Sequence, residues 1–285
     1  MTGHATMAAT SNPTTPVKQN NRRIIKTIPF TGFRAPTAFL RVNVAHVLTI
    51  VYNTLFPVST PRSVSNTMYI GRIVCIAMTN DSRLCAMYRV SSRSFPNRTA
   101  TMKPDTVSIV PKAGFETDVQ RNPYIAYNCI RIIQNGMVCV ASNGSHTDPI
   151  AEKIALGMPV RDAMVGSLLA LDYEKDQYNT PRIGAVVDKR DGSGWLGIVR
   201  DDGIAVRRML LAPGRFWHVA TYEEVHPSDH HAGEFPASNA ETACDFILSG
   251  GIFAERENPI SAVAAVASDD GFEMAVKDVN NGSNE

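Results

Sequence analysis

Residues 124–141 read YIAYNCIRIIQNGMVCVA, two runs rich in β-branched residues on either side of Gln134-Asn135-Gly136. Asn-Gly supplies the positive φ angles of a two-residue turn, so the stretch is expected to fold back on itself as an antiparallel hairpin. More strands are expected on both sides. Residues 68–78 form a continuous apolar run, 84–91 a second strand after the polar turn 79–82, and 106–110 a short third. Beyond the hairpin, 148–156 and 160–173 read as helices. The second carries Ala163, Val165, Leu168, Leu169 and Leu171, an apolar surface suited to packing on a sheet. Strands at 183–187, 195–199, 204–209 and 217–221 follow, separated by Gly/Asp turns. The capping box Ser238-x-x-Glu241 opens a helix that runs through 248 and stops at Gly250-Gly251. Residues 262–267 and 272–276 flank Asp269-Asp270-Gly271 as a last hairpin. Two batches of hairpins, with helices between them and near the end, indicate an α+β fold of antiparallel sheets partly covered by helices.

The chain has 285 residues, 28 basic against 27 acidic, and is 44% hydrophobic. These values suit one large or two small globular domains and exclude collagen-like, disulfide-scaffold and wholly disordered classes. A net charge of +1 argues against a strongly basic nucleic-acid binder. The balance hides an asymmetry. No acid precedes Asp81, so residues 1–67 hold seven of the bases, and residues 68–285 keep 21 bases against 27 acids, a net of −6. Residues 1–67, rich in Thr, Ser, Asn, Pro and Arg, read as a disordered leader: either an organellar transit peptide or sequence upstream of a true start at Met68. The core is then 68–278, with a polar tail at 279–285. Cys75, Cys85, Cys129, Cys139 and Cys244 contain no C-x-x-C pair and read as buried apolar thiols in a reducing compartment. The most apolar stretch, 42–58, is interrupted by Asn43, His46 and Asn53 and falls short of a spanning helix. A cytoplasmic location is expected, or an organellar one if the leader is a genuine transit peptide.

No G-x-G-x-x-G or Walker A sequence occurs, so neither dinucleotide nor P-loop binding has a motif to stand on. Three polar clusters remain. Residues 88–98 read YRVSSRSFPNR, and Arg72, Arg83, Arg89, Arg93 and Arg98 share their neighbourhood with one acid, Asp81. Strand alternation puts Arg89, Ser91 and Arg93 on one face, which suits a phosphate or carboxylate because guanidinium binds oxyanions through paired hydrogen bonds. A solvated strand with scattered surface charges reads the same stretch equally well. Residues 121–128 (RNPYIAYN) and 142–148 (SNGSHTD) gather hydrogen-bonding side chains around Gly144, a nest or helix N-terminus for an anion unless Asp148 simply caps the following helix. The sequon Asn143-Gly144-Ser145 would stay unmodified in a cytosolic chain. Residues 171–176 (LDYEKD) set Asp172, Glu174 and Asp176 at a helix end, where acids oppose the macrodipole; that local cost hints at function, against a merely solvated helix end. His226, Asp229, His230 and His231 suit a metal poorly, because adjacent histidines in a loop seldom converge on one ion and no fourth ligand stands at a familiar spacing. Ser145, His146 and Asp148 are too close in sequence to point at one another as a triad. No metal or cofactor is expected.

Taken in order, MYIGR (68–72), YRVSSRSFPNR (88–98), RNPYIAYNCIRI (121–132), SNGSHTD (142–148), IAEKIALGM (150–158), LDYEKDQYNTPRI (171–183) and FILSGG (246–251) closely resemble the archaeal-type inosine monophosphate (IMP) cyclohydrolase family across about residues 68–278. The resemblance implies the four-layer αββα arrangement of N-terminal nucleophile hydrolases, with the site between two sheets and without that superfamily's N-terminal nucleophile. Met68 and Tyr69 at the head of the first strand agree with the last point. It implies closure of 5-formamidoimidazole-4-carboxamide ribonucleotide (FAICAR) to IMP with loss of water, the last step of purine synthesis, in the cyclic-amidine C–N hydrolase class.

The resemblance further points to Arg98 and Glu174 as the catalytic pair. The substrate brings both reacting groups, so holding them together accounts for much of the rate, up to ~7–11 kcal/mol in well-oriented cases. Arg98 is expected to stabilise the developing formyl oxyanion, a contribution of ~3 kcal/mol by analogy with one oxyanion donor. Glu174 is expected to act as base, typically ~10²–10⁴-fold, and to return the proton as water leaves. Tyr127 or Asn128 would orient the formyl or amide group. Arg89, Arg93, Ser145 and Thr147 would hold the 5′-phosphate, with Ser91, Asn97, Asn122, His146, Asp172 and Arg182 completing the substrate-binding set. Expected partners are FAICAR and IMP, with no nucleic acid, no membrane, and a homo-oligomer left open. Two alternatives stand beside this reading: an amide C–N hydrolase whose nucleophile, such as Thr67, is exposed by processing, and a non-catalytic purine nucleotide-binding module.

Overall fold

The computed structural model describes residues 69–279. The expectations for residues 1–67 and for the polar tail from 280 lie outside these described residues. Alternation along the first two strands sorts the layers. Val74 and Ile76 of β1 (Ile73–Met78) and Leu84, Ala86, Tyr88 and Val90 of β2 (Leu84–Ser91) face one core, while Ile73, Cys75, Ala77, Cys85 and Met87 face another. β3 (Arg98–Lys103), β4 (Thr106–Pro111), the short helix α1 (Asp118–Arg121), β5 (Tyr127–Ile133) and β6 (Val138–Ser142) follow. Next come α2 (Thr147–Ala155), α3 (Val160–Leu171), β7 (Arg182–Asp188), β8 (Ser193–Arg200), β9 (Gly203–Met209), β10 (Arg215–Ala220) and β11 (Ala232–Glu234). The chain closes with α4 (Ala240–Ser249), β12 (Pro259–Ser268) and β13 (Gly271–Asp278).

Every strand pairing is antiparallel. One sheet runs β11-β10-β1-β2-β12-β13, the other β3-β4-β5-β6-β7-β8-β9. Three buried clusters separate the layers. Tyr88, Tyr127, Ile183 and Trp217 belong to the cluster between the sheets. Cys244, Phe246 and Ile247 of α4 cover the outside of the six-stranded sheet, and Ile150, Ile154, Ala163 and Met164 of α2 and α3 cover the outside of the other. The result is the α–β–β–α stack expected for an α+β chain. All five cysteines are buried and unpaired. Among the described residues no helix is long and apolar enough to cross a membrane.

Several local expectations change. The first strand begins at Ile73 rather than 68, because Gly71 turns the chain with φ +77°. The hairpin pairs Ile133 with Val138 across four residues, not two, and Gln134, Asn135 and Gly136 all take positive φ. The helix cap is one residue later than expected: the Asn239 side chain accepts from Thr242 N, and Thr242 returns the contact to the Asn239 backbone. Residues 123–125 form a 3₁₀ turn ahead of β5 rather than the start of the strand. Asp148 does not cap α2; its carboxylate takes bonds from Arg131 (2.6 Å) and from the Asn128 amide (3.0 Å). β3 and β11 were not expected from the sequence.

Candidate active site

Strand ends from both sheets meet around a cavity of about 850 Å³. Arg72 precedes β1, Arg93 and Phe95 follow β2, Arg98 opens β3, Tyr124 precedes β5, and Tyr222 follows β10; all line the cavity. The deepest polar groups form a chain. Arg72 Nη2 donates to Glu174 Oε2 at 2.9 Å, with side-chain exposures of 11% and 1%. Arg182 Nη1 lies 3.9 Å from the other carboxylate oxygen, Oε1. The Tyr88 and Tyr127 hydroxyls meet at 2.5 Å in the core between the sheets. Arg98 is 1% exposed, donates through Nε to the Phe95 carbonyl at 3.1 Å, and leaves Nη1 without a protein partner.

Burial and charge set the protonation states. Burial pushes the Glu174 carboxyl above its ordinary value, against the pull of Arg72 and Arg182. Burial works against the Arg72 charge, but Glu174, Tyr127, Tyr88 and Tyr222 outweigh it and hold the guanidinium protonated. The Tyr88 phenol is pushed up by burial and by Tyr127, and Tyr127 by burial, so both remain neutral hydrogen-bonding groups. Arg72 and Arg98 line the cavity, whereas Glu174, Tyr88 and Tyr127 do not; Glu174 stands behind Arg72, a carboxylate of raised pKa one hydrogen bond from the cavity wall.

Chain segments far apart hold these groups. Thr221 Oγ1 accepts from Arg72 N, and Thr221 N donates to the Arg72 carbonyl, each at 3.1 Å. Glu174 N donates to the Thr180 carbonyl at 2.8 Å, and the Asp176 carboxylate takes the Thr180 N–H and hydroxyl. The expected carboxylate cluster thus separates: Asp176 ties the loop, Asp172 holds Lys175 and Tyr173 N near the surface, and only Glu174 enters the interior.

The structure sorts the remaining expected residues as follows. Arg93 and Asn122 line the cavity, Arg93 paired with Glu257 at 2.6 Å and Asn122 capping the 3₁₀ turn through Tyr124 N. Arg182 and His146 lie behind Glu174. Arg89 does not reach the cavity. It shares a face with Ser91 (Nε to Oγ, 3.0 Å), but that face is the α4 side, where its guanidinium donates to carbonyls of Leu248, Phe253 and Arg256. Asn128 also points away from it, bonded to Ser108 and Asp148. Thr147 bonds Ser142 and the Gly144 carbonyl, Ser145 is exposed, and neither lines the cavity, nor does Asn97. The sequon Asn143 is buried, bonded to Pro181 O and Ile183 N. His231 Nδ1 sits against the His226 carbonyl and Asp229 pairs with Arg207, away from any shared ion site.

A family model described as IMP cyclohydrolase-like protein matches residues 69–271, which hold β1 to β12 and every residue lining the cavity. The chain belongs to the IMP cyclohydrolase-like family. A protein named IMP cyclohydrolase from Methanosphaera stadtmanae is 47% identical over 203 residues, covering 71% of this chain and 96% of its own. Proteins of the same name from Methanocella arvoryzae and Methanocaldococcus jannaschii are 46% and 40% identical, covering 73% and 74% of this chain and 98% and 99% of theirs. For this member of the IMP cyclohydrolase-like family, sequence reasoning missed Arg72 and Tyr88 as site residues. Arg72 stood in the arginine count and in the MYIGR motif, the one available signal, and Tyr88 was hidden in an apolar strand.

Proposed function

We propose that this chain is an IMP cyclohydrolase that closes FAICAR to IMP with release of water, the activity its relatives are named for. The observation that carries the reading is Glu174: a buried carboxylate with a raised pKa, beside a cationic cavity whose volume of about 850 Å³ suits a nucleotide. Glu174 is the base. It removes the carboxamide proton as that nitrogen attacks the formyl carbon, and returns a proton to the departing hydroxyl. The two protons that leave with the former formyl oxygen come from the two ring-closing nitrogens, so atoms balance as one water. Arg98, with Nη1 unpartnered, faces the oxygen on which charge develops. Arg72 positions Glu174, and Tyr127, fixed by Tyr88, orients the formyl group. Arg93 and Arg121, exposed at the rim, take the 5′-phosphate in place of Arg89, Ser145 and Thr147. A cytoplasmic location accords with this metabolism.

The test is incubation of the purified full chain with FAICAR while following the absorbance of the purine that closure creates. Glu174→Gln should keep IMP affinity and lose ~10²–10⁴-fold in kcat, since Gln fills the same shape without a base. Near-normal kcat in that variant overturns the role of Glu174, and no turnover in the wild type overturns the activity.

A further inference from the structure

Behind Glu174, away from Arg72, three polar atoms converge on the turn that precedes α2. A Cβ placed on Gly144 would stand 2.6 Å from Arg182 Nη1, 3.3 Å from His146 Nδ1 and 3.5 Å from Glu174 Oε1. None of the three atoms has a protein hydrogen-bond partner, and the side chains that carry them are more than nine-tenths buried. Unpartnered buried polar atoms are rare in folded proteins, so three around one space point to a ligand.

Their chemistry says which one. His146 Nε2 lies 2.9 Å from the Ile183 carbonyl, which only accepts, so Nε2 carries the proton and Nδ1 is an acceptor. Burial, with the Arg182 charge beside it, drops the His146 pKa to about 3 and keeps the ring neutral. Glu174 Oε1 is a second acceptor, and Arg182 Nη1 a donor. The carboxylate repels an anion and the guanidinium repels a metal cation. One donor facing two acceptors is complementary to a molecule that donates twice and accepts once.

We propose that Gly144, His146, Arg182 and Glu174 form a binding site for a single water, which accepts from Arg182 Nη1, donates to His146 Nδ1 and Glu174 Oε1, and thereby fixes the carboxylate that Arg72 holds from the other side. Buried waters typically make about three such bonds. Gly144 suits this turn because a Cβ there would press on Arg182 Nη1, the donor of the site, at 2.6 Å, and Arg182 and His146 are positioning residues. The consequence for turnover rests on the reading of Glu174 as base; the water site itself does not.

The two parts are tested separately. A crystal structure of the full chain with ordered solvent should show one water within hydrogen-bonding distance of all three atoms. Direct bonding of Glu174 to Arg182, or a side chain in that space, overturns the site. For its effect on the base, Gly144→Ala drives a methyl against Arg182 Nη1 and so disturbs the donor of the site, and His146→Gln keeps a donor to the Ile183 carbonyl while removing the Nδ1 acceptor. Each should lower kcat/KM roughly tenfold or more with IMP affinity unchanged, and move the acid limb of the pH profile upward as Glu174 loses a donor. The charged or titratable groups facing Glu174 are Arg72 before β1, Arg182 in β7, Asp176 after α3 and His146 before α2. Both substitutions leave Arg72 and Asp176 in place, His146→Gln leaves Arg182 in place as well, and the His146 ring is already neutral. An unmoved acid limb in both variants overturns the positioning role. Normal turnover by Glu174→Gln would instead remove the base assignment, with the crystallographic water still to be judged on its own.

Discussion

Arg72 Nη2 donates to Glu174 Oε2 at 2.9 Å across 102 positions of sequence. The backbone of Arg72 is tied to Thr221 at the end of β10 by two bonds, so the six-stranded sheet carries the cation and the segment after α3 carries the acid. Among the described residues no hydrogen bond or ion pair joins Arg98 to Glu174; the charges of both Arg98 and Arg72 act on Tyr88 and Tyr127, and Arg72 bonds Glu174. The two residues anticipated as a catalytic pair thus share electrostatic neighbours rather than a bond.

The raised pKa of Glu174 has a signature in both stability and rate. Burial lifts it above the ordinary 4.5, so the folded protein holds this proton more tightly than the unfolded chain. Its contribution to stability then declines as pH rises from the ordinary value through the raised one. Gln cannot ionise, so the melting-temperature difference between Glu174→Gln and wild type should move in the variant's favour across that window. Over the same window the wild-type kcat/KM should fall as pH is lowered, because the base becomes protonated. A melting difference that is flat with pH excludes a raised pKa at this residue.

Replacing Arg72 with Met should be far worse than replacing it with Lys. Met leaves Glu174 buried without its closest cation, and breaking one side of a buried pair costs about 3–5 kcal/mol. Lys keeps the charge but loses the planar fork. In the Lys variant, kcat should fall more than tenfold with KM little changed, since Arg72 positions the base. Chemical denaturation and steady-state kinetics on both variants check this. Equal stability of Arg72→Met and wild type would show that the pair contributes nothing.

Much of the fold was legible because strands buried on both faces read as near-continuous apolar runs bounded by polar turns, such as LCAMYRVS at 84–91 after the turn at 79–82. β3 (RTATMK) was not, since it is an edge strand with its later residues exposed and its polar side chains carry no alternation. β11 is three residues long and has too little sequence to carry a pattern. The site was half legible. The acid cluster at 172–176 stood out at an unfavourable helix end, and the family resemblance singled out Glu174 within it. Alternation correctly put Arg89 and Ser91 on one face, but the strand ends at Ser91 and Arg93 goes to the cavity instead of sharing that face; which face looks into the cavity depends on how the layers stack. Asn128 failed for the same reason. Arg72 owes its role to a partner brought over by tertiary folding, which no local pattern records.

Arg98→Lys should be partly active. Nε of Arg98 is anchored on the Phe95 carbonyl and Nη1 is free of protein partners, so the fork both fixes and presents the charge. Lys retains the charge without the anchor. Loss of a whole oxyanion donor costs about 10²–10³-fold in kcat, so Arg98→Ala should fall in that range and Lys between it and wild type. Stopped-flow or steady-state cyclisation rates decide; a Lys variant no better than Ala would assign Arg98 to geometry rather than charge.

Gly71→Ala tests the placement of Arg72 without replacing any side chain of the site, although its methyl also presses on the cavity-lining Tyr222. Gly71 has φ +77°, a conformation that L residues with a Cβ rarely adopt, and a Cβ there would lie 2.1 Å from Thr221 Oγ1 and 2.7 Å from the Tyr222 ring. The methyl must push β10's end away from the Arg72 backbone, and the same Thr221 oxygen accepts the Arg72 N–H. Strain of this kind costs of order 1–3 kcal/mol, within what a domain of this size tolerates. The variant should therefore fold with a lowered melting temperature yet lose at least tenfold in kcat, because a displaced Arg72 no longer presents Glu174 in register. Circular dichroism melts beside the cyclisation assay separate the outcomes: a folded variant with wild-type kcat shows that the grip of Thr221 on Arg72 is not what aligns the acid.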